Sequence, residues 1–193
     1  MRTASSAHRG VAVRAMLGAI AAVGLVAGCS TSVDGEPAAQ GQSETTREQT
    51  VQWNPCTDLA DEAVEATRAN PASKSTVTDA SSGPAAFRIC SWDSTEGPYK
   101  INVGSSTYSL DDVRNNPDLT GFREVEVGTR TGLINQQKSD EDKLHCWVNL
   151  PWAKGMVYVS VGWSYSKRTS IPQSPPCDLA VEHAIELDPY LPK

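Results

Sequence analysis

The sequence predicts an α+β domain: an antiparallel sheet of five or six strands with two disulfide-anchored helices packed on one face. Three observations carry that expectation. Six β-rich or alternating segments, from 86–93 to 156–164, are separated by Gly, Pro, Asn and Asp turns. A Pro-Cys pair opens an apolar-striped segment on either side of this region, at Pro55-Cys56 and at Pro176-Cys177. Two further cysteines, Cys90 and Cys146, fall inside predicted strands.

The chain opens with Arg2, Arg9 and Arg14 and no acidic residue, followed by an uncharged run from Ala15 to Ala27. This is the layout of a signal peptide, and the run is well short of the roughly 20 residues that a membrane-crossing helix requires. The segment Leu25-Val26-Ala27-Gly28-Cys29 resembles the bacterial lipobox, with Val26 where Leu is commoner. That resemblance implies cleavage before Cys29 and lipidation of its thiol, an attachment that several acyl chains make stable. Residues 1–28 are therefore read as a lipoprotein signal, 29–52 as lipidated cysteine and flexible tether, and 53–193 as one globular domain. The net charge of −6 becomes more negative by three once the three leading arginines are removed. With no basic run in the mature chain, the composition argues against a nucleic-acid partner.

Asn54-Pro55 is a helix start, with Asn as N-cap and Pro at the first helical position, and Leu59, Ala63, Val64 and Thr67 fall near one face. Asn70-Pro71 stops this helix. A Ser/Thr/Gly/Pro loop over 72–84 leads to strands at 86–93 and 99–106, joined by Thr95-Glu96-Gly97-Pro98. Ser109 with Asp112 three residues later predicts a short capped helix. Strands follow at 122–127 and 132–137, with a turn around Gly128, then at 144–150 and 156–164 across a 151–155 turn. Ser174-Pro175-Pro176 opens a closing helix to about Leu187, with Ala180, Ala184 and Leu187 on its apolar stripe.

Cys56, Cys90, Cys146 and Cys177 remain after Cys29 is set aside, and in an extracytoplasmic compartment four such cysteines read as two disulfides. None forms the close pair that a zinc site needs. The favoured pairing follows an internal echo: Pro55-Cys56-Thr57-Asp58-Leu59-Ala60 is matched by Pro176-Cys177-Asp178-Leu179-Ala180, and Cys90-Ser91-Trp92 by Cys146-Trp147. Each half then joins a helix start to a strand, Cys56 to Cys90 and Cys146 to Cys177. The other two connectivities stay open on sequence alone.

The lipobox, the tether, Asn54-Pro55-Cys56, Cys90-Ser91-Trp92, Cys146 and the Cys177 helix ending in Leu191-Pro192 together resemble a family of actinobacterial lipoproteins. That family is defined by a domain of unknown function and includes mycobacterial proteins of the LprB and LprC type. The layout is also similar, more weakly, to the disulfide-stapled sensor domain of certain mycobacterial receptor kinases. The resemblance implies a place on the outer face of the cell membrane, held by lipid, and brings no activity with it.

No hydrolase, nucleotide-binding or zincin motif occurs in the chain. His145 reads as a rim residue, His183 as a structural histidine at the edge of a packed stripe, and Asp140-Glu141-Asp142 as a solvated hairpin tip. No catalytic residue, metal ligand or cofactor is assigned. Aromatic content is the one feature that invites a binding role: five tryptophans stand against two phenylalanines. Trp152, in a predicted turn, is the candidate binding residue, while Trp147 points away from the face shared by Leu144, Cys146, Val148 and Leu150. The expected function is a non-enzymatic envelope lipoprotein presenting a binding or sensing surface to a protein or cell-wall component. The alternative is a carrier holding a lipid or small envelope metabolite in a cavity between helices and sheet.

Overall fold

The computed structural model of the protein describes residues 50–79, 85–170 and 176–193. The signal segment, Cys29 and most of the tether lie outside the described residues, as do Ser174 and Pro175 of the expected final helix start. No described helix is long and apolar enough to cross a membrane.

The packed domain includes a residue that the sequence assigns to the tether. Val51, assigned to the tether, is buried, donates its N–H to the Ala85 carbonyl at 3.0 Å, and accepts from Arg88 Nε. The first helix, α1 over Pro55–Asp58, is short, and two side chains cap its start. Asn54 Oδ1 accepts from the Cys56 N–H, and the Asp58 carboxylate accepts from the Asn54 N–H. The expected single helix then breaks at Leu59-Ala60, which adopt extended backbone and turn Leu59 into the core, before α2 runs over Asp61–Ala66.

Seven strands form one antiparallel sheet among the described residues: β1 Ser75–Thr78, β2 Phe87–Asp93, β3 Tyr99–Ser106, β4 Leu119–Val127, β5 Arg130–Gln137, β6 His145–Trp152 and β7 Gly155–Trp163. Their order is β1-β2-β3-β7-β6-β5-β4. The count exceeds the expected five or six because β1 lies in the stretch read as loop. Its Ser-Thr-Val-Thr side chains are all exposed, so it carries no core pattern, and only backbone pairing to β2 makes it a strand. Both edge strands are irregular, with register breaks between Thr76 and Thr78 on β1 and between Thr120 and Arg123 on β4. The β6–β7 turn is tighter than expected, with Trp152 opposite Gly155. A Cβ on Gly155 would lie 2.1 Å from the Ser106 carbonyl oxygen, and its φ of +129° suits only glycine.

Alternation divides the central strands into two faces. On one, Ile101, Val103, Val148, Val157, Val159 and Val161 are buried in a cluster with Leu59, Ala63 and Val64 of the first helices. Ala180, Ala184 and Leu187 of α4 (Pro176–Leu187) join the same cluster. Cys56 is bonded to Cys90 with 5.1 Å between Cα atoms, and Cys146 to Cys177 with 4.9 Å. Each bridge fixes a helix start to a strand flanking the central β3–β7 pair. The other face carries α3 (Leu110–Arg114), started by a capping box between Ser109 and Asp112. This helix lies in the connection from β3, at the middle of the sheet, to β4 at its far edge, so the chain must pass over the intervening strands. Its Val113 is buried with Leu133, Met156 and Tyr158 in a second, smaller cluster.

Candidate functional site

Beneath that crossing connection lies a concavity of about 710 Å³, within the usual range for small-molecule sites. Strand register generates its floor. One row across this face of the sheet runs Ile89, Gly104, Tyr158, Asn149 and Leu133, and the next runs Ser91, Asn102, Ser160, Trp147 and Asn135; of these, Ile89, Tyr158, Asn149, Trp147 and Asn135 line the concavity. Phe87 and Met156 lie farther along the same face, and Tyr108, Val113 and Asn116 wall the site from the crossing connection.

Local sequence explains the shape. Gly104 has no side chain, and the Tyr158 ring fills the space it leaves: a Cβ there would sit 2.2 Å from Tyr158 Cζ. Tyr108 packs against Phe87 with ring centroids 5.3 Å apart. Asn149 Nδ2 donates to the Leu133 carbonyl at 2.9 Å and to Asn135 Oδ1 at 2.6 Å, although both amides are buried. The Tyr158 hydroxyl has no hydrogen-bond partner among the described residues. Burial pushes its ionisation far up, so it stays a neutral phenol. Asp112 is the one ionisable acid lining the concavity, and no Lys, Arg or His lines it among the described residues. Its carboxylate accepts from the Ser109 N–H and hydroxyl, which holds it below the ordinary carboxylate value.

The residues singled out in the sequence occupy other places. Trp152 packs against the helix-side core, with its indole nitrogen buried and unpartnered, whereas Trp147 lines the concavity. The space between the cysteine-anchored helices and the sheet, where the carrier reading put a cavity, is filled by core side chains. Asp140 is not a solvated tip residue: it accepts from the Leu144 and His145 N–H groups and lies 3.1 Å from His145 Nδ1, ordering the turn in which Lys143 has φ +52°. His145 then stacks beside Trp147, with centroids 6.0 Å apart.

His183 is fully buried rather than at the edge of a stripe. Its Nδ1 lies 2.8 Å from Thr67 Oγ1 and its Nε2 lies 3.2 Å from the Tyr99 hydroxyl, while Thr67 Oγ1 also donates to Glu186. One assignment satisfies every group: Nδ1–H donates to Thr67, Thr67 to Glu186, and Tyr99 to Nε2. Burial pushes His183 below its ordinary 6.5 against the opposing pull of Glu186, so the imidazole is neutral. A hydroxyl, a histidine and a carboxylate meet here, but inside the core, where no substrate could reach the Thr67 oxygen. The cluster ties α2 to α4.

Sequence reading missed Asn135, Asn149 and Tyr158, since an asparagine on an alternating strand looks like an outward solvent residue. The available signal was Gly104, a glycine inside a strand and thus a site of close approach. A family model described as "Protein of unknown function (DUF3558)" matches residues 24–190. No curated protein and no solved structure matches the chain.

Proposed function

The chain belongs to the DUF3558 family, whose members are of unknown function, and we propose that it is a lipid-anchored, non-enzymatic binding protein of the cell envelope that holds its ligand in the outer-face concavity. The anchoring half of this reading rests on the signal segment and Cys29, and on the resemblance to actinobacterial lipoproteins of the LprB and LprC type. Acylated at Cys29, the domain would work from the extracytoplasmic face of the membrane on a short polar tether. The two disulfide-anchored helices form the closed back of the sheet in this reading, leaving the opposite face for recognition.

The observation that carries the binding half is a mostly apolar concavity lined by Asn135, Asn149 and Tyr158, largely buried residues whose remaining side-chain donor and acceptor atoms have no partner among the described residues. Buried polar groups are normally paired, so a floor with spare donors and acceptors is suited to a ligand that completes them. Concavity favours the carrier reading over a flat protein partner. Half-buried Trp147 supports a second reading, in which a protein or cell-wall component meets the same face. Native mass spectrometry of the full chain, purified from its own envelope, separates them. A few hundred daltons of extra mass that vanish on denaturation support the carrier. A bare chain with a co-purifying protein supports the second reading, and a bare chain alone counts against both.

A further inference from the structure

The hydrogen bonds of the floor leave a defined remainder. The Leu133 carbonyl can only accept, so Asn149 must turn its Nδ2 toward it, and the second N–H of that amide goes to Asn135 Oδ1. This fixes the orientation of both amides. Asn149 Oδ1 is left as an acceptor, and Asn135 Nδ2 as a donor, without partners among the described residues. The Tyr158 hydroxyl, carried from β7 to lie over Gly104 on β3, can do either. All three residues are more than nine-tenths buried and line the concavity.

Charge narrows the ligand further. An anionic head would enter without a counter-charge, because no Lys, Arg or His lines the site among the described residues, and burying an unpaired ion is costly. A cationic head has only Asp112 to meet, and that carboxylate is already committed to Ser109. Toward β2 the lining turns apolar, with Phe87, Ile89 and Met156. From β6 to β2 the sheet spans three strand spacings, roughly 14 Å at about 4.8 Å each, a distance an alkyl chain can cross.

We infer that the concavity takes a neutral amphiphile: an uncharged head bearing hydroxyl or amide groups on Asn135, Asn149 and Tyr158, and an apolar chain along Phe87, Ile89 and Met156. This inference rests on the reading of the concavity as the ligand site. Isothermal titration of the full chain tests it with four probes kept below micelle-forming concentrations. Octyl β-glucoside carries a neutral hydroxylated head and a chain. Octanoate and octyltrimethylammonium carry a similar chain with an anionic or cationic head, and glucose carries the head alone.

The expected result is that octyl β-glucoside binds at least about tenfold more tightly than the other three. Tyr158→Phe, which removes a hydroxyl without a partner and so leaves the fold intact, should weaken it about 3- to 10-fold, the usual range for one hydrogen bond. Asn135→Leu should weaken it at least as much, and if that variant fails to fold, Tyr158→Phe still decides. Equal or tighter binding of a charged probe overturns the ligand class while leaving the site in place. Glucose binding as tightly as its octyl derivative overturns the chain. If no probe binds, the inferred class is overturned, and the site itself then stands or falls on the mass spectrometry above.

Discussion

Ile101 and Val103 face the helices, while Asn102 and Gly104, their direct neighbours on β3, face the opposite side of the sheet, and the same alternation separates Val157 and Val159 from Tyr158 and Ser160 on β7. The two faces are built from the same strands, yet they are stabilised differently. On the helix side the fit is between apolar side chains and small helix residues, and two disulfides lock it. On the opposite side amides and a phenol are buried without full pairing. The helix side also holds unpartnered buried indole nitrogens, at Trp92 and Trp152, so what sets the faces apart is that the spare polar atoms of the opposite side line a concavity that a ligand can reach.

If that contrast holds, the largest loss of stability comes from the helix side. Ile101→Ala should cost about 2–5 kcal/mol in chemical denaturation, as for other large-to-small core changes. Replacing Cys146 and Cys177 together by Ser should cost about 3 kcal/mol through the restored freedom of the unfolded chain. Gly104→Ala crosses the boundary: its Cβ would collide with the Tyr158 ring, so about 1–3 kcal/mol should be lost along with ligand binding. A loss of binding without any loss of stability would mean that the ring moves aside freely.

The His183 cluster predicts a pH effect confined to the helix side. The unfolded histidine binds its proton near 6.5 and the folded one only at lower pH, so the unfolded state holds more protons in between. Stability from this group is therefore fully present above about 6.5 and declines as pH falls toward the folded value, with a slope of up to about 1.4 kcal/mol per pH unit. Tyr99, Glu182, Glu186 and Arg68 surround the imidazole and enter the same titration. Melting curves from pH 7.5 to 5 should show the decline, and a flat profile would refute the neutral, buried assignment. The smallest effect belongs to the other face. Tyr158→Phe should change stability by less than about 0.5 kcal/mol, since the hydroxyl it removes has no partner to lose among the described residues.

What could be read in the sequence follows the same division. Six strands were legible because one side of each is apolar, and the Ser109–Asp112 capping box and the cysteine echo are local signals that do not depend on tertiary context. β1 was not, because its four side chains are all exposed and carry no apolar alternation, and its strand character comes from the backbone of β2. The break at Leu59 was hidden by a helical spacing that Leu59 and Ala63 satisfy either way. The direction of Trp147 was legible from alternation alone. That its face would be walled on one side was not, since that wall depends on α3 passing over strands that occur later in the chain.

The register breaks on β1 and β4 bear on how such a protein behaves in company. A sheet whose outermost strands are straight offers its free N–H and C=O groups as a template for another copy. Here each outermost strand carries a defect that interrupts that template, and β4 also carries Arg123, Glu124 and Glu126 along its length. Copies of a sheet protein held close together meet repeatedly, edge to edge. A sheet with a break in each outermost strand, and charges along one of them, lets copies crowd without zipping into fibres.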